Sequence, residues 1–305
     1  MSELDNSRIN KHLGQTSEYK DQYDKTLLVN EPRSNNRTHL GIEDTDLPFI
    51  GYDTWNAYEV SGLTNNGLPA AGVAKIVYPC SSKYIVESKS IKLYFNSYNM
   101  YKFGETPIDV LNNIAKQSME DLSELLETDV KVYIHPANVR DTGDPVMGIN
   151  TYTTLEQGIS QERLGEMKVD IYQETPEVLS VTRHEDDQVS RYHSSLLKSN
   201  CRVTSQPDWG DVYIMYKGMR DVTMESMLKY IVSFRDECHF HEEICETIYK
   251  RLCDILNPTE LVVTCLYARR GGIDINPVRA SSLNALRECG DLINPSALHT
   301  KTAKQ

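Results

Sequence analysis

Residues 76–99 read IVYPCSSKYIVESKSIKLYFNSYN, in which β-branched and aromatic residues recur with partial alternation. That pattern predicts strands separated by a Pro-Cys-Ser-Ser turn. A helix follows, with Thr106-Pro107 as cap and first position and Leu111, Ile114, Ala115, Met119, Leu122 and Leu126 at helical spacing. A short strand over 130–134 then ends at His135-Pro136. The same order recurs downstream: VDIYQE (169–174) and DVYIMYKG (211–218) read as strands, 224–234 and 242–256 as helices, and LVVTCLYARR (261–270) as a strand. Two halves that each run strands, helix, strand predict an α+β fold of two tandem modules with antiparallel sheets rather than an alternating βαβ fold. The polar stretch 137–165, with Gly143, Asp144, Pro145 and Gly148, reads as the connection. The expected division is an N-terminal arm (1–45), a first module (46–145), and a second module with its tail (146–305). The arm is rich in Asn, Ser, Asp, Lys and Arg with little apolar periodicity, and is expected to stand apart from the site chemistry.

Composition narrows the function. The 305 residues are 39% hydrophobic, enough for real cores, and carry 32 basic against 44 acidic side chains for a net charge of −12. Such a chain offers no basic field to a phosphate backbone, so direct nucleic-acid binding is not expected. No run approaches the roughly 18 apolar residues of a membrane span. The start, MSELDNSRINKHLGQ, lacks a secretory pattern, so a cytoplasmic location is expected. Seven cysteines without a CxxC pair point to reduced thiols rather than a disulfide framework. A GxGxxG fingerprint, a P-loop and a GxSxG elbow are all absent.

Four segments concentrate unusual residues. In ESKSIKLY (87–94), Glu87 and Lys89 would share one face of a strand, which taken alone is a solvated face. SNCRVTSQPDWG (199–210) is a polar loop holding Cys201 and, seven positions on, Asp208; nearby Lys198 and Arg202 favour a thiolate, although residue types alone favour an inert free thiol. CHFHEEIC (238–245) invites a zinc reading, but its close spacing lacks a second ligand cluster, and Cys245, Ile248, Leu252 and Ile255 follow core spacing. ARRGGIDINP (268–277) sets two arginines beside flexible backbone, which suits phosphate or an exposed corner.

Taken together and in this order, these segments resemble the two-module form of the nitrile reductases of queuosine biosynthesis, the 7-cyano-7-deazaguanine reductase (QueF) family. The likeness runs from YDTWNAYEVS (52–61) to Arg279 and includes SFRDECHFHEE (233–243) and RRGGIDINP (269–277). The resemblance implies two tandem tunnelling-fold (T-fold) modules with helices on one face of antiparallel sheets, a homodimer, and NADPH as cofactor. It implies reduction of the cyano group of 7-cyano-7-deazaguanine to an aminomethyl group, with no metal. By the same likeness Cys201 would attack the nitrile carbon to form a thioimide, Asp208 would transfer protons and His241 would assist. Val86, Glu87, Ser88, His241 and Glu242 would bind the deazaguanine, and Ser88, Lys89, Arg270 and Gly271 would lie at the NADPH site. The competing expectation is a T-fold zinc hydrolase similar to GTP cyclohydrolase.

Overall fold

A computed structural model describes residues 20–137, 151–202 and 204–305. The strands are β1 (Asn30–Pro32), β2 (Ile50–Leu63), β3 (Pro69–Pro79), β4 (Tyr84–Val86), β5 (Lys131–Pro136), β6 (Thr153–Thr154), β7 (Val181–Asn200), β8 (Pro207–Val222), β9 (Glu260–Tyr267) and β10 (Ile273–Ala280). Four main helices are α1 (Ser88–Asn96), α2 (Pro107–Leu126), α3 (Met224–Ser233) and α4 (His241–Leu256). The eight-stranded main sheet has the order β5-β3-β2-β10-β9-β8-β7-β6, antiparallel throughout except for the β6–β7 pair. β1 and β4 form a separate ribbon.

The two modules share one sheet. β2 of the first pairs with β10 of the second from Ile273↔Ala57 to Ala280↔Ile50, which is the tandem T-fold arrangement expected. Alternation then sorts the side chains. Leu261, Val263, Cys265 and Tyr267 of β9 join the core under α3 and α4, while Val262 and Leu266 face a second layer that includes Ala285, Leu286 and Leu292. In the first module Ile91, Tyr94 and Phe95 of α1 and Val110, Ile114 and Leu122 of α2 pack on Trp55, Ile76 and Tyr78. The capping box of Thr106 and Asp109, with Pro107 at the first turn, starts α2 where the sequence placed it.

Two expectations are corrected. Residues 88–96 are the helix α1, not a strand, so Glu87 and Lys89 do not share a strand face; Glu87 is the N-cap, and burial of Ser90, Ile91, Tyr94 and Phe95 follows a helical stripe. Residues 169–174 are irregular, and the partner of β8 is instead the long polar strand β7. The boundary near 145 lies outside the described residues.

The described part of the N-terminal segment supplies buried charge. Arg37 makes a bidentate pair with Glu246 of α4 at 2.8 and 2.9 Å, and Arg33 pairs with Asp53 of β2. Arg279 of β10 bridges both acids, at 2.8 Å to Asp53 and 2.8 Å to Glu246. A buried network of this kind contributes little net stability relative to apolar packing, but removing one member strands a charge at a cost of about 3–5 kcal/mol. Its place matters more: Glu246 sits one helical turn from Glu242, so the network forms the electrostatic floor of the site.

Candidate active site

The β7–β8 hairpin carries the first two groups. Asn200 pairs with Pro207, and the turn between them closes through Cys201 N–H to Gln206 O (2.8 Å) and Ser205 N–H to Cys201 O (2.9 Å). Cys201 is partly exposed on this turn, and Asp208 is buried at the start of β8. Arg270, just beyond β9, pairs with Asp208 through Nη1 and donates from Nη2 to Thr204 Oγ1 at 3.1 Å. His241, the first residue of α4, stacks on Tyr267 at 3.8 Å and holds Nε2 3.4 Å from Asp208 Oδ2, close but not aligned as a hydrogen bond. Burial pushes the Asp208 carboxyl up, but His241 and the Arg270 guanidinium outweigh it and hold the group below the usual carboxylate range. Asp208 is therefore a carboxylate at neutral pH, able to accept a proton before it gives one.

The opposite wall presents two more carboxyls in different surroundings. Glu87 caps α1, accepting from Lys89 N–H at 2.9 Å and Ser90 N–H at 2.7 Å, so the helix N-terminus supports its negative charge. Glu242 is buried in the first turn of α4 and its Oε1 has no hydrogen-bond partner. Burial, then repulsion from Asp53, pushes its pKa up to about 8, against the pull of Arg33 and Arg279. A buried unpaired oxygen costs about 1–3 kcal/mol, which a ligand offering N–H donors would relieve. The indole N–H of Trp55, also buried, likewise lacks an acceptor.

Every site residue expected from sequence lines one cleft of about 950 Å³, open mouth included: Val86, Glu87, Ser88 and Lys89 on one side, Cys201 and Asp208 on another, His241 and Glu242 behind, Arg270 and Gly271 at the rim. The structure adds Trp55, Lys92, Thr204, Phe240 and Ile275 to the lining. Lys92 was within the quoted segment, but only the helical spacing of α1 brings it beside Lys89. Gly271 has φ 58°, and a Cβ there would meet only Lys92 within 4 Å. Left-handed glycine backbone beside Lys89, Lys92 and Arg270 makes a cationic rim suited to phosphate. Arg269 instead packs over Tyr58, 3.3 Å from the ring centroid.

The zinc pattern does not assemble. Cys245 is buried in the core with its thiol toward Val263 O and Pro277 O, one turn from His241. Among the described residues no three His, Cys, Asp or Glu side chains converge as metal ligands.

Comparison with known proteins gives this geometry a context. Residues 19–134 match a family described as nitrile reductase, 7-cyano-7-deazaguanine-reductase N-term, and residues 207–285 one described as QueF-like protein. The NADPH-dependent 7-cyano-7-deazaguanine reductase of Rickettsia bellii is 39% identical over 277 residues, covering 90% of this chain and 94% of that protein. Those of Acidovorax ebreus (39% over 278 residues, 90% and 95% covered) and Legionella pneumophila (38% over 269 residues, 88% and 89% covered) are similarly related.

Proposed function

This chain belongs to the NADPH-dependent 7-cyano-7-deazaguanine reductase family, and from that premise we propose how its residues divide the reduction of the nitrile to an aminomethyl group. The observation that carries the reading is the convergence of Cys201, the ionised Asp208 and the unpaired Glu242 on one cleft.

A nitrile is a poor acceptor of hydride. Transfer of the Cys201 thiol proton to the Asp208 carboxylate gives a thiolate. As sulfur bonds to the nitrile carbon, the π-electron pair passes to nitrogen, which takes the proton back from Asp208, leaving a thioimide and a regenerated carboxylate. Arg270 faces Asp208, which holds the carboxylate in place for both transfers, and His241 lies beside it to resupply protons. Covalent attachment retains the substrate until reduction is complete. Glu87 and Glu242 recognise the heterocycle, and buried Val86 with the exposed Ser88 shapes its seat.

The cationic rim fits the cofactor, with Ser88, Lys89, Lys92, Arg270 and the Gly271 backbone as the groups that would hold its phosphates. NADPH supplies hydride when bound, and conversion of a nitrile to an amine consumes four electrons. The test is stoichiometry: absorbance loss should register two NADPH per 7-cyano-7-deazaguanine consumed, with the aminomethyl product by mass. One equivalent, or product formed by hydrolysis, would refute it.

Substrate binding should be linked to Glu242. A ring N–H beside an exocyclic amine matches one carboxylate, so binding favours the ionised form. The free carboxyl is protonated below its pKa of about 8, so binding there releases a proton. Affinity should therefore strengthen as pH rises from 6 to 8, by up to about tenfold per unit, and level off above. Calorimetry in buffers of different ionisation enthalpy reads the released proton, and Glu242→Gln should remove both the release and the slope. A wild-type affinity flat over this range would contradict the assignment.

Further parts of the reading are assembly and location. We propose a homodimer, because the outer edge of β5 ends an open sheet and uncovered edges favour pairing. All seven thiols are free, which supports a reducing, cytoplasmic setting. Among the described residues no helix is long and apolar enough to cross a membrane. The net charge of −12 supports a small-molecule partner over nucleic acid.

A further inference from the structure

The β7–β8 ladder breaks register just behind the Cys201 turn. Pairing holds to Ser194↔Val212 and resumes at Leu197↔Gly210, so Ser195 and Leu196 stand against Asp211 alone. This is a β-bulge, which frees backbone groups that need partners. Ser195 N–H donates to Glu156 Oε1 at 2.9 Å, and the Ser194 hydroxyl donates to the same oxygen at 2.8 Å. Leu196 N–H donates to Ser194 Oγ at 3.1 Å. The Ser195 carbonyl accepts from Lys304 Nζ, which also donates to Gly210 O at 3.2 Å. Thr302 Oγ1 donates to Asp211 Oδ2, on the residue opposite the bulge, at 2.9 Å.

Lys304 arrives on a strap. Residues 291–305 cross the sheet face away from the helices: Lys75 Nζ donates to Ala297 O at 2.6 Å, His135 Nε2 lies 3.1 Å from Pro295 O, and Lys301 Nζ pairs with Asp274 at 3.1 Å. The strap thus runs from the β3–β5 edge to β7 and β8, and its last contacts clamp the bulge from one side while Glu156 clamps it from the other.

The bulge governs the register of the hairpin tip. Beyond it Ser199 stands opposite Asp208 and Asn200 opposite Pro207, and Cys201 is the next residue. Side chains on a strand alternate, so a slip of one residue in β7 would turn Ser199 and Asn200 to the opposite faces and carry the Cys201 turn out of step with Asp208. We propose that Glu156 and Lys304 are positioning residues: they hold the bulge, and through it the register that sets Asp208 beside the Cys201 turn. This rests on Cys201 and Asp208 being the reacting pair. It gives the tail a part in the chemistry from outside the cleft, and it separates chemistry from recognition, because Glu87 and Glu242 stand on α1 and α4.

The full chain carrying Lys304→Met, Lys304→Arg or Glu156→Gln is compared with wild type for the rate of covalent adduct formation without NADPH, for substrate affinity, and for amide hydrogen exchange over 194–212. Lys304→Met should slow adduct formation about 10- to 100-fold, the scale of a small misplacement of reacting groups. Affinity should hold within about twofold, and exchange across the bulge should quicken. Lys304→Arg should restore most of the rate, and Glu156→Gln should slow it less than Lys304→Met. Should Lys304→Met fail to fold, Thr302→Val loosens the same clamp. An unchanged rate in a folded variant would overturn the proposal, as would equal losses of rate and affinity. Absence of any adduct at Cys201 in wild type would instead overturn the reading of the reacting pair, a result read before any variant is made.

Discussion

Cys201→Ala should abolish turnover, a loss on the order of 10⁴-fold or more, while leaving affinity for the aminomethyl product, which cannot form the thioimide, within about threefold of wild type. The asymmetry follows from where the groups stand. Cys201 lies on the β7–β8 turn, whereas the recognising carboxyls belong to Glu87 at the N-cap of α1 and Glu242 in the first turn of α4. Intact-protein mass spectrometry with the nitrile and no NADPH should show one adduct per wild-type chain and none in Cys201→Ala. Addition of a thiol across C≡N expels nothing, so the mass gain should equal the whole substrate, whereas displacement of a leaving group would give less. Cys238 is the control, because it is an exposed thiol on the segment that bridges to Asn200. Cys238→Ala should form the adduct at the wild-type rate. An adduct that survives Cys201→Ala would move the nucleophile elsewhere.

How much of this was legible in the sequence varies with the physics behind each piece. The α2 helix was readable because its cap, first-turn proline and apolar stripe are all local. The α1 helix was not, because ESKSIKLY follows directly on the β-branched and aromatic runs of β3 and β4, and its own burial stripe shows only once Glu87 is seen capping the chain. β7 was invisible for the opposite reason: VTRHEDDQVSRYHSSLLKSN has its first nine residues mostly exposed, and a strand without a buried face has no apolar alternation to find. β10 carries Pro277, which argues against a central strand; it is tolerated because pairing to β9 begins only at Val278. The cleft residues were recognisable from the joint occurrence of short segments. Arg33 and Arg37 were not, since a charged stretch reads as solvated and the partner of Arg37 lies 209 residues away. The N-terminal segment, expected to stand apart from the site, supplies the charge beneath Glu242.

Asp208→Asn should slow adduct formation by about 10²- to 10⁴-fold, the usual contribution of a positioned acid or base. An amide of the same size cannot take the Cys201 proton or return it to the nitrile nitrogen. Because this step precedes any cofactor, the loss is measured without NADPH and is independent of what the rim binds. Its pH dependence identifies the group. Burial opposes ionisation of Asp208, yet His241 and Arg270 hold its pKa below the usual carboxylate range. At saturating substrate, where the Glu242-linked change in affinity drops out, the base form is therefore lost only as pH falls through that lowered value, and the acid limb of adduct formation should lie below the ordinary carboxylate range. Arg270→Met removes a cation paired with Asp208 and should move the limb upward, while Asp208→Asn should erase it. If His241 took the thiol proton instead, Asp208→Asn would react within about threefold of wild type and the limb would follow the imidazole. A slow Asp208→Asn protein whose limb persists would show that the carboxylate supports the turn without moving the proton.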